Sequence, residues 1–147
     1  MKKMTGEEKV DLYIIVADDD PDDHEIVKKA VSDCRANYLV SSVYNGQQLL
    51  DLLEGKEFYK TRSFKIPDMI VLDLKMPVMD GFEVLDKIKK DKRFLSIPIH
   101  VLSDSPDDPD KDRAIELGAT SFHTKPLRYG ELLNIMKKIC EKTTDAK

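Results

Sequence analysis

The sequence lacks several features by which common classes of protein are recognised. Its six glycines form neither a GxGxxG nor a GxxxxGKS/T phosphate loop, so nucleotide-dependent chemistry has no support. No apolar run approaches the roughly 20 residues of a membrane span, and the first nine residues contain no signal-peptide core. We therefore expect no membrane contact and a cytoplasmic location.

Cysteine content and charge exclude further classes. Cys34 and Cys140 lie in segments of helical periodicity without metal-ligand spacing, which predicts free, buried thiols. The formal net charge is -4, whereas non-specific binding to nucleic acid requires a basic face that neutralises phosphates. We therefore expect no direct contact with nucleic acid.

The order of apolar and amphipathic segments predicts an α/β domain. A length of 147 residues fits one domain with its own core. Apolar runs alternate five times with segments of helical period, which is the pattern of βαβ units and a mostly parallel sheet. Residues 1–10 are predicted to be an N-terminal extension, residues 11–142 the domain and residues 143–147 a frayed tail.

The predicted strands are 12–17, 38–43, the apolar residues that follow Asp68 in the segment DMIVLD, the segment IPIHVLS and the segment TSFHTKPL. The predicted helices are Pro21 to Arg35, a segment after Asn45-Gly46, a segment from Phe82, Pro106 to Leu117, and Tyr129 to Glu141. A polar connection, Glu54 to Pro67, precedes the third strand.

The stretch YIIVADDDPDD places five acids within six positions directly after an apolar run. Leu12 to Val16 is typical of a fully buried strand, and Pro21 is typical of the first turn of a helix. The acids therefore follow a strand, at the edge where open α/β sheets place their ligands. Such close carboxylates are either solvated, bound to a cation or used in acid chemistry.

Other polar residues follow the later strands at corresponding places. Asp73 follows the third strand, Ser103 the fourth and Lys125 the fifth. In one parallel sheet these residues would meet the first acids at a shared edge. Carboxylates suit a hard cation such as Mg²⁺. A carboxylate beside that ion can attack a phosphoryl group while the metal and an ammonium neutralise the transferring oxygens.

In the motifs VADDDP, VLDLKMPVMDG, VLSD and GATSFHTKP, the sequence resembles the receiver domains of bacterial two-component response regulators. The connection before the third strand is similar to that of single-domain regulators in the phytochrome-linked subgroup. The resemblance implies a flavodoxin-like (βα)5 fold, a doubly wound five-stranded parallel sheet with strand order 2-1-3-4-5. It also implies a phosphoacceptor that assists its own phosphorylation and dephosphorylation and is not otherwise an enzyme.

The resemblance further implies partners. A histidine kinase or a phosphotransfer protein would supply the phosphoryl group. Output would pass to a downstream protein target through protein contacts, as a switch or a relay. The chain itself would be a monomer or a weak homodimer.

The resemblance also implies a role for each site residue. Asp73 is the phosphoacceptor, and Ser103 and Lys125 are its polar partners. The ligands of Mg²⁺ are the carboxylates of Asp18, Asp19 and Asp73 and the backbone carbonyl of Lys75. Ser103 resembles the switch hydroxyl, Phe122 the switch aromatic and Lys125 the phosphate-pairing lysine.

The other acids near the predicted site are not expected to bind the metal or accept the phosphoryl group. Asp20, Asp22 and Asp23 are expected to be solvated or to cap the first helix. Asp104 departs from the family pattern, which has a small residue after the switch hydroxyl. Its charge would repel an anionic donor unless it points to solvent or pairs with a cation.

Two alternatives stay open. A Mg²⁺ phosphohydrolase of the haloacid dehalogenase type would use Asp18 as nucleophile and Asp20 as acid/base, although Asp22 stands where that family has Thr or Val. An unphosphorylated docking receiver is opposed by the presence of Asp73 and Lys125.

The three histidines lack metal-site spacing and are expected at the surface or in satisfied positions; they are His24, His100 and His123.

Overall fold

The computed structural model describes residues 12–34, 37–55, 66–104 and 108–145. Strands and helices alternate throughout: β1 Leu12–Ala17, α1 Pro21–Cys34, β2 Tyr38–Val43, α2 Gly46–Glu54, β3 Met69–Leu72, α3 Gly81–Lys89, β4 Ile99–Ser103, α4 Asp108–Glu116, β5 Ser121–Thr124 and α5 Tyr129–Asp145. The predicted N-terminal extension, most of the connection before β3, and the predicted boundaries at Arg35 and Pro106 lie outside the described residues.

The sheet has the predicted topology. All four neighbouring strand pairs are parallel, and the strand order is β2-β1-β3-β4-β5. The chain therefore moves outward from β1 to β2 on one side and from β3 to β5 on the other. A crevice at the carboxyl ends of β1 and β3 follows from this reversal of direction.

Helices cover both faces of the sheet, so the inner strands are buried on both sides. Every residue of β1, β3 and β4 is buried, as expected for a parallel sheet between two helical layers. One core contains Ile15, Ile70 and Ile99 with side chains of α2, α3 and α4. The other contains Ile14, Met69 and Leu102 with side chains of α1 and α5. These two cores hold the strand ends, and the residues that follow them, in a rigid frame.

Helix α5 extends to Asp145, three residues into the segment that the sequence predicts to be a frayed tail. Thr143 is buried. Its hydroxyl lies 2.9 Å from the carbonyl oxygen of Ile139 and 3.4 Å from the Sδ atom of Met69 on β3. This contact with the sheet keeps the last turn docked even though its sequence is polar. Residues 146–147 lie outside the described part.

The histidines are more buried than the surface interpretation predicts. His24 and His100 are buried, and His123 is half-buried. The Nδ1 atom of His100 lies 2.7 Å from the hydroxyl of Ser121, which lies 3.0 Å from Nε2 of His123. Among the described residues, no histidine belongs to a group of three potential metal ligands. The hydrogen bonds of His100 and His123 agree with the alternative of satisfied positions, whereas the buried Nδ1 atom of His24 has no hydrogen-bond partner among the described residues.

Both cysteines are free, as predicted. Cys140 is buried and Cys34 is half-buried. Burial raises the pKa of both thiols, and the neighbouring Cys34 helps to raise the pKa of Cys140 to about 12. No helix in the described ranges combines the length and apolar character needed to span a bilayer.

Two glycines allow close packing around the loop from β3 to α3. A Cβ atom on Gly81 would lie 2.5 Å from the carbonyl oxygen of Asp73, and one on Gly46 would lie 2.4 Å from that of Met79. The backbone N–H of Gly81 donates to the carbonyl of Leu74 at 2.8 Å. Asp80 caps α3. Helix α3 therefore begins directly against the backbone that carries Asp73.

The same loop contains a strained turn. Val78 has a φ of 69°, which a β-branched residue rarely adopts. The backbone N–H of Met79 donates to the carbonyl of Pro77 at 2.7 Å, closing a three-residue turn around Val78. Since the Val78 side chain is 79% exposed, its own packing contributes little. The closed turn and the helix cap hold the loop in shape.

The close approach at Gly81 predicts a large cost for added volume. We expect Gly81→Ala to lower the free energy of unfolding by about 2 kcal/mol or more, because the new methyl group meets backbone atoms that cannot move aside. Urea unfolding of the two proteins measures the difference.

Gly130 on α5 supplies the matched control, since a Cβ atom there would meet nothing within 4 Å. Gly130→Ala should leave the stability unchanged or raise it by up to about 1 kcal/mol through helix propensity. If Gly81→Ala were as stable as Gly130→Ala, the loop would have to be far more deformable than its packing indicates.

Candidate functional site

The strand register brings three acids together at the carboxyl edge of the sheet. Ala17 lies opposite Leu72, so the next residues, Asp18 and Asp73, are neighbours. The backbone N–H of Asp73 donates to the carbonyl of Ala17 at 2.9 Å. Asp18, Asp19 and Asp73 each offer one carboxylate oxygen, and these oxygens lie within 4.8 Å of one another. The predicted metal-binding carboxylates are therefore adjacent.

The environment of Asp18 and Asp73 disfavours the charged forms of these two acids. Asp18 and Asp73 are buried, whereas Asp19 is exposed. Burial is the largest influence and raises the pKa of Asp73 to about 6, although Lys125 lowers it. Burial also raises the pKa of Asp18, against the hydrogen bond from the backbone of Asp20 and the charge of Lys125. A bound cation would favour the charged forms and reduce the repulsion among the three carboxylates. A set of oxygen ligands suits Mg²⁺ or Mn²⁺.

Lys125 reaches into this cluster from the end of β5. Its Nζ atom lies 2.9 Å from Asp18 Oδ2, 2.6 Å from Asp23 Oδ2 and 3.7 Å from Asp73 Oδ2. Burial alone would lower the pKa of Lys125, but the hydrogen bonds to Asp23 and Asp18 outweigh it and raise the pKa above its ordinary value. The ammonium group therefore stays charged and neutralises part of the cluster.

The contact with Asp23 corrects the sequence interpretation, which treated this acid as solvated or capping. Asp23 lies in the first turn of α1 and forms the shortest of the ion pairs of Lys125. The two residues are 102 positions apart, so no local pattern connects them. The only sequence signal is that Asp23 follows the first strand closely enough to face the same edge as Lys125.

Ser103 and Phe122 lie where the sequence predicts, at the end of β4 and within β5. Ser103 is fully buried, and its carbonyl accepts a hydrogen bond of 2.7 Å from the backbone N–H of Lys125. Phe122 is partly buried against the core beneath α2, α3 and α4. The backbone bond fixes the end of β5, and hence the base of the Lys125 side chain, to the end of β4.

Lys75 and Asp104 lie on the exposed rim of the site. A backbone hydrogen bond from Lys75 lowers the pKa of Asp73, in opposition to the larger effect of burial. The Asp104 side chain is 77% exposed, and its Oδ2 lies 4.0 Å from Nζ of Lys125. Asp104 thus both points to solvent and faces a cation. The open cavity between these elements is lined by Asp19, Asp20, Pro21, Asp23, Asp73, Lys75, Asp104 and Lys125.

His24 supports the site from below, a role that sequence reasoning missed. Its Nε2–H donates to the carbonyl of Asp18 at 2.7 Å, and its ring stacks on Tyr44 with 4.5 Å between the centroids. Within the described residues, the Nδ1 atom has no hydrogen-bond partner. The ring holds the backbone of Asp18 in place beneath the carboxylates.

A doubly wound parallel sheet with acids and a lysine at its carboxyl edge defines the receiver class of signalling domain. The comparison with protein families agrees, because the response regulator receiver domain matches residues 14–137. The chain belongs to this family. The family match includes most of β1 and all of the later strands.

Individual relatives give the same assignment. RpaA of Synechocystis sp., named a DNA-binding dual master transcriptional regulator, is 31% identical over 130 residues, which cover 88% of this chain and 49% of that protein. The chain thus spans about half the length of that relative.

Two solved structures are similar along most of their length. The phosphorylated cyanobacterial phytochrome response regulator RcpA is 29% identical, with a TM-score of 0.83 and coverage of 92% of this chain and 96% of that one. The Mn²⁺-bound form of the response regulator Rcp1 is 25% identical, with a TM-score of 0.78 and coverage of 87% and 91%. The predicted similarity to phytochrome-linked regulators is confirmed.

The raised pKa of Asp73 predicts a pH-dependent cost to stability. The pKa of Asp73 is about 6 in the folded protein and 3.8 ordinarily. Between pH 3.8 and about pH 6, Asp73 is therefore mostly protonated in the native protein and mostly ionised in the unfolded chain. The contribution of Asp73 to stability therefore falls as pH rises through this window. Without divalent cations, Asp73→Asn should be more stable than the wild type at pH 8 by about 1–3 kcal/mol.

This advantage should disappear near pH 4, where Asp73 is mostly protonated in the native protein. Thermal and urea unfolding at both pH values measure it. Saturating Mg²⁺ at pH 8 should narrow or reverse the difference, because a ligand that binds the native state stabilises it by mass action. Equal stability of the two proteins at pH 8 would show that Asp73 is as well solvated in the native state as in the unfolded chain.

Proposed function

We propose that this chain acts as a phosphoryl-accepting receiver in two-component signalling, with Asp73 as the acceptor. The observation that carries the proposal is the cluster at the sheet edge, where Asp18, Asp19 and Asp73 converge within 4.8 Å and Lys125 lies 3.7 Å from Asp73. Membership of the receiver family and similarity to a regulator solved in phosphorylated form support it.

The proposed metal is Mg²⁺, held by the carboxylates of Asp18, Asp19 and Asp73 and by the backbone carbonyl of Lys75. The all-oxygen donor set and the raised pKa values of the two buried acids fit a hard divalent cation. The relative Rcp1 was solved in a Mn²⁺-bound form. When bound, Mg²⁺ neutralises charge on the oxygens of the transferring group.

The chain's own residues supply the remaining chemistry. A carboxylate oxygen of Asp73 attacks phosphorus, an O–P bond forms, and the bond from phosphorus to the donor breaks with its electron pair leaving on the donor atom. Lys125 pairs with a phosphoryl oxygen, and the Ser103 hydroxyl donates to another. With a pKa of about 6, Asp73 is mostly ionised at neutral pH and therefore available as a nucleophile.

We propose a histidine kinase or phosphotransfer protein as the donor and a protein as the downstream target. Exposed apolar side chains on the two loops beside the site support docking of a protein, since Val78 is 79% exposed and Leu127 is fully exposed. The net charge of -4 favours protein partners over nucleic acid. In this role the chain is a phosphoacceptor rather than an enzyme with turnover on a separate substrate, and it acts as a monomer or weak homodimer.

The phosphohydrolase alternative is less compatible with the geometry. It requires a free Asp18 nucleophile, but Asp18 Oδ1 accepts from the backbone N–H of Asp20 at 3.0 Å and Oδ2 pairs with Lys125 at 2.9 Å. Its acid/base, Asp20, accepts from the backbone N–H of Asp22 at 2.9 Å. Asp73 is held less closely by Lys125, at 3.7 Å, which favours it over Asp18 as the nucleophile.

Phosphorylation of the purified protein tests the proposal. Incubation with Mg²⁺ and a small acyl-phosphate donor should add one base-labile phosphoryl group, detected by intact-protein mass spectrometry, and Asp73→Asn should abolish it. Asp18→Asn should slow the labelling through the metal without moving it from Asp73. Label that survives in Asp73→Asn and vanishes in Asp18→Asn would instead identify the phosphohydrolase.

Output by conformational change predicts altered hydrogen exchange. A phosphoryl group on Asp73 would give Ser103 and Lys125 new contacts with its oxygens. Such a difference in contacts between two states is the condition for shifting a pre-existing equilibrium. Beryllofluoride with Mg²⁺ should therefore change the exchange rates of α4, β5 and the start of α5, and Ser103→Ala should reduce that change. Identical exchange with and without beryllofluoride would favour a phosphate relay over a switch.

A further inference from the structure

The ion pairs of Lys125 differ in length. The Nζ atom is 2.6 Å from Asp23, 2.9 Å from Asp18 and 3.7 Å from Asp73. The Lys125 side chain is only 12% exposed, and that of Asp23 is 28% exposed. The lysine proposed to pair with the phosphoryl group is therefore held most closely by an acid of α1 that has no part in the proposed phosphotransfer.

Metal binding and the ion pair to Asp18 compete for the same carboxylate. Asp18 Oδ2 contacts Lys125, and the Asp18 carboxylate also belongs to the three-acid group that can hold a cation. A divalent cation bound there would weaken the pairing of Asp18 with the ammonium group, because both cations would then share one carboxylate. Asp23 does not belong to that group, so it can keep Lys125 after Asp18 has turned to the metal.

Phosphoryl transfer makes the opposite demand. A phosphoryl group on Asp73 requires Lys125 to approach it, and the present separation from the Asp73 carboxylate is 3.7 Å. The short hydrogen bond to Asp23 would oppose that approach, because it holds the ammonium group on the side of α1. Asp23 thus favours the metal-bound acceptor and opposes the final pairing of Lys125.

We propose that Asp23 is a positioning residue that retains Lys125 when a bound cation competes with it for Asp18, and that releases it when a phosphoryl group arrives on Asp73. The second half of this inference rests on the proposed function. Asp23 therefore affects the two binding steps with opposite signs. Loss of Asp23 should weaken the binding of Mg²⁺, because Lys125 then competes for Asp18 and Asp73, and should strengthen the binding of a phosphoryl group.

Asp23→Asn tests this in two titrations. We expect its affinity for Mg²⁺, or for Mn²⁺ as a spectroscopic substitute, to fall about three- to tenfold, the size expected for loss of a partly buried ion pair. At saturating Mg²⁺, we expect the affinity for beryllofluoride to rise by a factor of about three or more, since Lys125 has lost its competitor. A general structural defect would instead weaken the binding of both Mg²⁺ and beryllofluoride.

The neighbouring Asp22 supplies a matched control. It lies in the same helical turn and its side chain is exposed, so Asp22→Asn removes the same charge without removing a partner of Lys125. This variant should change both affinities less than twofold if the effect of Asp23 is carried by contact. Asp23→Glu should restore part of the wild-type behaviour, because it keeps a carboxylate near the ammonium group.

A Lys125→Ala background shows whether the effect passes through the lysine. In that background, Asp23→Asn should alter neither affinity beyond the change produced by Asp22→Asn. Equal effects of Asp23→Asn with and without Lys125, or a shift of the same sign in both titrations, would overturn the proposal. Failure of the wild type to bind beryllofluoride would instead refute the proposed function, while the Mg²⁺ titrations would still decide whether Asp23 restrains Lys125.

Discussion

The organisation of the site depends on one ammonium group that faces four carboxylates. Asp18, Asp23, Asp73 and Asp104 all have an oxygen within 4.0 Å of Nζ of Lys125. Like charges this close are tolerated because Lys125 neutralises part of them, and burial raises the pKa of Asp73 and of Asp18. The remaining negative charge favours binding of a cation and keeps Lys125 charged. The proposed binding of a cation and the proposed binding of a phosphoryl group would therefore both depend on the partners of a single side chain.

The scaffold makes this crowding possible by fixing the backbone of each member independently. Asp73 is attached to β1 through the carbonyl of Ala17, and Lys125 is attached to β4 through the carbonyl of Ser103. Gly81 brings α3 against the Asp73 backbone. Because two cores support the sheet, repulsion among the carboxylates acts on side chains and does not open the strand ends. The cluster thus retains its geometry before any ligand arrives.

The sequence determined the order of the elements and indicated which polar residues meet at the edge of the sheet. Continuous apolar runs indicated strands buried on both faces, since only a parallel sheet between helices buries every residue of β1, β3 and β4. The acids after β1, with Asp73, Ser103 and Lys125 after the later strands, indicated one shared edge because carboxyl ends of parallel strands must meet there. The family motifs assigned roles to those residues, and the strand order followed from the same resemblance.

Tertiary structure alone decided which polar groups touch. The pairing of Asp23 with Lys125 spans 102 positions, and the bond from His24 to the Asp18 carbonyl depends on how α1 packs against the end of β1. The contact of Thr143 with Met69 likewise places the last turn of α5 against the sheet, although its sequence is polar. Hydrophobic periodicity specifies which face of a helix is buried. It does not specify the rotation and offset of that helix over the sheet, and these set the distances between side chains at the edge.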